Sequence, residues 1–440
     1  MSIRNVSMHR LNYPKSIRIY LSLATLLFCG LPFTSTAQNS LQLFLDSALI
    51  NNPEAVSIQT QIQSYQYDNQ MIEAVLRSPK AFLSSELLVA PYLNNGKLID
   101  TDPSSKAIGY EISVTNGGLY SALFNLELPI LKGKQVIHLQ EQNQVEVEKL
   151  KTRLKMIENE LKRSVGGLYF DALAKQASVE SNKQNNALLN EEFQLIKTLT
   201  SKGLYRISDY KLLELELKSD SVGLSSSINN LELAVRQLKA SCGIKNREIG
   251  KLTSPQMVAG EQVGKPSLFI RQFAHDSLAA VSQQKAFNDR YLPQLNVYAN
   301  SGLNSNSVPN MQRHIGVSAG VQLTYNLFDG HQKKINDQLQ MLRLNEALSQ
   351  KVLKLNEVET QSDAYLQNIR KIQTELLKER QIQAEYKELL GLYQEEVQRA
   401  QISVIDLIAF LKKFSDINLA VSIKEINLNQ QINEYNYWNQ

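Results

Sequence analysis

From Gly316 to Tyr325 apolar and polar positions alternate strictly. Val317, Ala319, Val321, Leu323 and Tyr325 fall on one face, and Ser318, Gly320, Gln322 and Thr324 on the other. A period of two predicts a strand. Past Asp329 and Gly330 the pattern turns into a long, polar, helix-forming run with almost no breakers, so a strand joins a long helix through a glycine. The same join recurs from Tyr120 to Gln135. There Tyr120, Ala122, Phe124, Leu126 and Leu128 alternate with Ser121, Asn125 and Glu127, before Pro129 and Gly133 lead into helix. Two further segments alternate, and the pattern as a whole predicts strands near 81–90, 120–128, 294–300 and 315–325. Between the first two, residues 91–118 read as loop, with Ile108, Tyr110, Ile112 and Val114 offering further strand; 301–310 reads as a polar loop.

The helical period fills most of the rest. Leu41 to Asn52 forms a short helix with Leu43, Phe44, Ala48 and Leu49 on one face, and Pro53 suits the first position of the next helix, which runs to about Arg77. Gly133 to Gly203 is one stretch in which Leu150, Leu154, Ile157, Leu161, Val165 and Leu168 recur at coiled-coil spacing. Seventy residues at ~1.5 Å each would reach roughly 105 Å, far more than a globular core uses. Gly166 and Gly167 interrupt it, as a close approach between helices or as a slight kink. Gly203 fits a helix C-cap. Ser208 and Asp209 open a return helix to about Ala240, so the two helices make a hairpin.

The second half repeats the first. Gly133 and Gly330, Asn159 and Asn356, and Asp209 and Asp406 all stand 197 residues apart. Shared spacing with differences confined to loops is the mark of an internal repeat. The repeats span about 38–242 and 266–440, joined by an irregular connector, 243–265, rich in Gly and Pro. In the second, helices run from Pro266 to Leu292, from Gly330 to about Ala400, and back to Gln440.

The N-terminus adds a destination. Arg4, Arg10, Lys15 and Arg18 precede an apolar run from Ile19 to Leu31, and Ser35, Thr36 and Ala37 offer small residues for cleavage. Residues 1–37 are therefore expected to be a signal peptide. Phe28 before Cys29 argues against lipidation. Cys242 is then the only mature cysteine, which excludes an intrachain disulfide or a cysteine-based metal site. A net charge of +4, from 47 basic and 43 acidic residues, gives no reason to expect nucleic acid. The five histidines lack metal-ligand spacing, and no nucleophile elbow, triad or phosphate loop appears. No cofactor and no catalysis are expected.

Four strands cannot close a barrel; about eight is the practical minimum. Each, however, has about the length that crosses a bilayer as a tilted strand. Three copies would supply twelve and close the sheet, and symmetric assembly is the ordinary route.

In this the chain resembles the TolC-like outer-membrane efflux proteins over nearly all its mature length. The residues carrying the resemblance are Leu41-Gln42-Leu43, Ala48-Leu49 and Asn51-Asn52-Pro53 near the start; Leu292-Pro293-Gln294-Leu295 entering a strand; Leu128 to Gly133 and Tyr325 to Gly330 leaving one; and a Gly and an Asp six apart at a helical hairpin. The resemblance implies an α+β membrane protein, a homotrimer whose 12-stranded β-barrel takes four strands from each chain and continues into a long α-helical coiled-coil barrel in the periplasm. It implies a Gram-negative outer membrane, outer-membrane lipid around the barrel, a periplasmic adaptor and an inner-membrane transporter as partners, and passage of substrate without chemistry, in tripartite efflux or type I secretion.

By the same resemblance Asp209 and Asp406 are expected near the periplasmic constriction, with Gly203 and Ala400 at the hairpin tips and Pro129, Gly133, Asp329 and Gly330 at the strand-to-helix junctions. Helix N-capping is the plainer role for both aspartates. Ala400 departs from the expected glycine, and Ala409 stands where some members carry a second acidic ring. Phe82, Tyr120, Tyr298 and Tyr325 are candidates for interfacial aromatic girdles or for core packing. The competing class is an exported coiled-coil structural or adaptor protein that forms no pore; four strands of bilayer length and the repeat count against it.

Overall fold

The structure is a computed structural model that describes residues 40–88, 92–99, 120–246, 250–261, 267–305 and 311–440. The signal region and Ile108 to Val114 lie outside the described residues.

Two helices, α1 (Leu41–Asn51) and α2 (Pro53–Leu76), are split at Asn52, whose side chain accepts the Ala55 N–H at 2.9 Å. Asn at the N-cap with Pro at the first helical position is why the second helix starts there. On α1, Phe44 and Ala48 are buried as expected, but Leu43 is exposed and Leu45 takes its place against the core. Strand β1 (Lys80–Leu87) follows, then a small hairpin of β2 (Tyr92–Asn94) and β3 (Lys97–Ile99), then β4 (Tyr120–Pro129). Helix α3 (Gly133–Ser201) runs 69 residues unbroken and returns as α4 (Ile207–Ser241). Helix α5 (Leu268–Asn288) leads through a 3₁₀ turn to β5 (Gln294–Ser305) and β6 (Ile315–Thr324). Helices α6 (Gln332–Gln398), 67 residues, and α7 (Val404–Trp438) complete the chain.

Helix α3 has α2 and then α4 along its length, and also α5 and then α7; α5 and α7 in turn lie against α6. The coiled-coil positions do the packing. Leu150, Leu154 and Ile157 meet Ala55 and Ile58 of α2, while Val165 joins Phe44, Tyr169 and Leu238 in the main cluster. At Gly166 a Cβ would stand 2.6 Å from Asn433 Nδ2, so this glycine marks close approach of α3 to α7, and α3 passes through without a break. The connector is not free. Gln176 holds both the N–H and the carbonyl of Leu252, and Tyr169 donates to the Thr253 carbonyl at 2.7 Å.

The four long strands form one antiparallel sheet in the order β1-β4-β5-β6. Its main departure from expectation is β5. Residues 301–305, read as loop, continue the strand, because Ser301 to Ser305 pair one for one with Phe124 to Tyr120. Backbone pairing, not side-chain hydrophobicity, extends it.

Candidate functional site

The register fixes which side chains share a face. Ala81, Leu83 and Leu87 of β1 lie level with Leu126, Phe124 and Tyr120 of β4. Phe124, Leu126 and Leu128 lie level with Ser301, Ala299 and Val297 of β5, which meet Val317, Ala319 and Val321 of β6. One face is therefore apolar across all four strands. The other carries Ser84, Glu86, Ser121, Asn125, Glu127, Asn296, Asn300, Ser318 and Gln322, tied by Asn125 to Ser84 at 2.7 Å and Ser318 to Asn300 at 2.6 Å. The apolar face is open on β1, β4 and β6, where Leu83 is 82% and Val317 81% exposed, and half-buried on β5; on the polar face Glu86, Glu127, Ser318 and Gln322 are exposed as well, and Ser121 is buried. A contiguous apolar face left open in this way is not the ordinary arrangement for a protein in water.

The aromatic candidates divide. Tyr120 lies on the apolar face at the strand end. Phe82 and Tyr298 belong to the polar face, so they are not part of a girdle on the apolar side. Tyr298 lies over Gly320, where a Cβ would come within 2.5 Å of its ring.

The two strand-to-helix junctions differ in kind. Pro129 ends β4, and Ile130 donates to the Leu295 carbonyl at 2.9 Å. Gly133 is an ordinary first helical residue with open space where a Cβ would stand, so no special conformation requires it. Gly330 and His331 both take left-handed backbone, φ 65° and 67°, and Asp329 Oδ2 accepts the Lys333 N–H at 2.9 Å. A hydrogen bond from the Tyr291 hydroxyl, reinforced by that N–H, holds the Asp329 carboxyl below its ordinary range.

At the far end the two hairpins meet. Leu189 and Ile196 of α3, Leu213 of α4, Val397 of α6 and Val404, Leu407 and Leu411 of α7 form one buried cluster, with Tyr393 stacked on Phe410 at 4.2 Å. Both long helices end alike. Gly203 donates to Thr200 O and Leu204 to Leu199 O; Ala400 donates to Val397 O and Gln401 to Glu396 O. Each is the paired closure that uses a left-handed residue just past the helix. Gly203 has φ 77° and Ala400 φ 53°, so alanine occupies a conformation that favours glycine.

Neither aspartate is an N-cap. Both stand at the third helical position. Asp209 Oδ2 accepts the Arg206 N–H at 3.2 Å, and Asp406 accepts the Ser403 hydroxyl at 2.6 Å while its own N–H donates to Ser403 Oγ at 3.1 Å. They complete capping arrangements from inside the helix. Asp406 is exposed and Asp209 half-buried. Sequence reasoning missed Tyr205, whose hydroxyl donates to the Ile402 carbonyl at 3.0 Å and ties one tip to the other. It also missed Glu192, 4% exposed, whose Oε1 accepts from Gln394 at 3.4 Å and whose Oε2 has no partner. Burial pushes the Glu192 carboxyl up, and burial with the Asp209 and Glu192 charges pushes the Tyr205 hydroxyl up. Ser403 followed by Asp406 is a capping pattern readable in the sequence; a lone Glu on a long helix carries no such signal.

No group of three or more metal-ligating side chains is placed to hold an ion among the described residues. No helix of the described residues is long and apolar enough to cross a membrane, which says nothing of strands.

A four-stranded sheet with one apolar face runs into two helices of about 100 Å each, a fold shared with solved outer-membrane channels. No family model and no curated protein matches the chain by sequence. In three dimensions it is similar to the outer membrane protein VceC of Vibrio cholerae, at 14% identity over 91% of this chain and 95% of that one, with a TM-score of 0.65. It is similar also to the CmeC outer membrane channel of Campylobacter jejuni, at 13% identity over 91% and 85%, TM-score 0.63. The open state of the MtrE outer membrane channel of Neisseria gonorrhoeae matches at 13% identity over 91% and 88%, TM-score 0.62. At these identities the likeness is one of fold.

Proposed function

We propose that the chain is one third of an outer-membrane export duct, which passes substrate from the periplasm or an inner-membrane pump to the outside without chemistry. The observation that carries this reading is the apolar face that runs across all four strands and lies open on β1, β4 and β6. Strands of eight to twelve residues suit a tilted crossing of the hydrocarbon layer. The free edges are β1 and β6. With an even strand count they run in opposite directions, so β6 of one copy can pair antiparallel with β1 of the next, and three copies close a twelve-stranded wall. The outer helices support the same assembly. Helix α6 leaves Ile335, Leu339, Leu342 and Leu353 exposed, and α4 leaves Leu215, Val222 and Leu233. Apolar rows of this length on coiled-coil helices call for a neighbour. The chain is then an internally duplicated α+β homotrimer, its helices projecting into the periplasm of a Gram-negative cell toward a periplasmic adaptor and an inner-membrane transporter.

Asp209 and Asp406 stand beside the tips, and in a threefold assembly each becomes a ring of three carboxylates, which favours cations. The experiment is extraction followed by conductance. The protein should require detergent, run as a heat-sensitive trimer, and open cation-selective channels in planar bilayers. Asp209→Asn with Asp406→Asn should reduce that selectivity. A monomer stable in water without detergent would refute the reading.

A further inference from the structure

The connector roofs a cavity of about 420 Å³ between α3 and α7, roughly 40 Å along α3 from the strand junction. Its apolar wall is Leu41 and Leu45 from α1, Pro255 and Met257 from the connector, and Tyr437 from α7. Several of the polar groups around it are already engaged. Asn159 donates to the Tyr437 carbonyl at 2.9 Å. Asn436 accepts the Gly260 N–H at 2.8 Å and donates to the Val258 carbonyl at 2.9 Å. Arg163 is held by Glu434 at 2.9 Å, with its guanidinium 4.7 Å from the centre of the Tyr437 ring. An apolar guest would therefore break none of these bonds. Lys162 is exposed and lines the cavity as well. No hydrogen bond or ion pair engages it among the described residues. It also lines an adjoining cavity of about 220 Å³, together with Lys155, Arg271 and Glu158. An apolar chamber thus neighbours a basic one, and Lys162 and Gln440 line both.

We propose that this pair of cavities binds a free single-chain anionic amphiphile. Its tail lies over Leu41, Leu45 and Met257, and its head group meets Lys162. The larger chamber falls in the ordinary size range of small-molecule sites, about 300–1,000 Å³, and most of the surface it exposes is apolar, as theirs is. The distance from the sheet separates it from lipid that would surround the strands. The site does not depend on whether the assembly conducts.

The test is calorimetric titration of dodecanoate into the intact protein in lipid nanodiscs, with empty nanodiscs subtracted; detergent would compete for the site. One saturable site per chain is expected. Leu41→Trp, which fills the chamber, should abolish it, and Met257→Phe should do the same from the connector if Leu41→Trp disturbs the fold. Lys162→Glu should weaken binding at least tenfold, and Lys162→Arg should retain it. Decanoate, two methylenes shorter, should bind about tenfold more weakly. Dodecanol should bind at least tenfold more weakly than dodecanoate. Absence of a saturable site, or a site untouched by both chamber-filling variants, would overturn the proposal. Equal affinity for dodecanol would overturn the assignment of the head group to Lys162.

Discussion

Alanine at position 400 should leave the α6–α7 tip less stable than the α3–α4 tip, and Ala400→Gly should repair it. The two turns have the same pair of closing hydrogen bonds, yet one uses Gly203 at φ 77° and the other Ala400 at φ 53°. An L-residue in left-handed backbone is disfavoured by about 1–2 kcal/mol. Glycine gives back part of that gain, ~0.4–1 kcal/mol, through the greater freedom of its unfolded chain. The net stabilisation from Ala400→Gly is thus about 0.5–1 kcal/mol, and Gly203→Ala should destabilise its tip by a similar amount. Global melting is a poor readout for the membrane assembly proposed above, since large assemblies commonly unfold irreversibly. Local opening is a better one. Hydrogen exchange followed by mass spectrometry should show the amides around 396–401 exchanging about two- to fivefold more slowly in Ala400→Gly, and those around 199–204 faster in Gly203→Ala. Exchange that is unchanged or faster in Ala400→Gly would show that the Ala400 methyl makes contacts outweighing its backbone strain.

Other perturbations read other parts of the structure. Tyr205→Phe deletes the bond to Ile402 O and should loosen contact between the two tips by about 0.5–1.5 kcal/mol, seen as faster exchange at both, with the sheet unaffected. Gly302→Ala would bring a Cβ to 2.1 Å from the Ala122 carbonyl oxygen and should destabilise the β4–β5 pairing by about 1–3 kcal/mol, lowering the temperature at which the assembly dissociates on a gel. Gly316→Ala, in open space, should not. Glu192 supplies a pH dependence. Its carboxyl is raised above the ordinary 4.5, so the native state binds its proton more tightly than the unfolded state does. Stability is full below the ordinary value and falls as pH rises through the raised one. Glu192→Gln should therefore protect the tip at about pH 8 and make no difference at about pH 4; a variant that exchanges like the parent at both would show that Glu192 is already neutralised by a partner.

The sequence made the periodic elements legible because their signals are long. Sixty-nine residues of α3 average out every local exception, and the strict alternation of Val317 to Leu323 admits one strand with one apolar face. Legibility failed where partners, not pattern, decide. Residues 301–305 look like loop until β4 supplies their hydrogen bonds. Phe82 and Tyr298 look like membrane-facing aromatics until the register puts them on the polar side. Gly133 and Gly330 look alike, yet only the second needs its glycine. At the tips, resemblance alone singles out Asp209 and Asp406, whereas their bonding at the third helical position follows from short spacings in the sequence. Glu192 and Tyr205 could not be found, since each matters through a residue roughly two hundred positions away.

Among the described residues β1 and β6 bound the sheet, and no further strand pairs with the backbone on the outer side of either. A solitary copy in water is consequently a hazard to itself. Such edges recruit any extended chain they meet, and the oily face beside them favours clumping. Lys80 and Glu86 put only sparse charge along one border, and β6 from Ile315 to Thr324 has none. On the assembly proposed above, newly made chains have to find their own kind quickly, or be escorted until they do, and the abundance of loose subunits becomes the quantity a cell has to keep low.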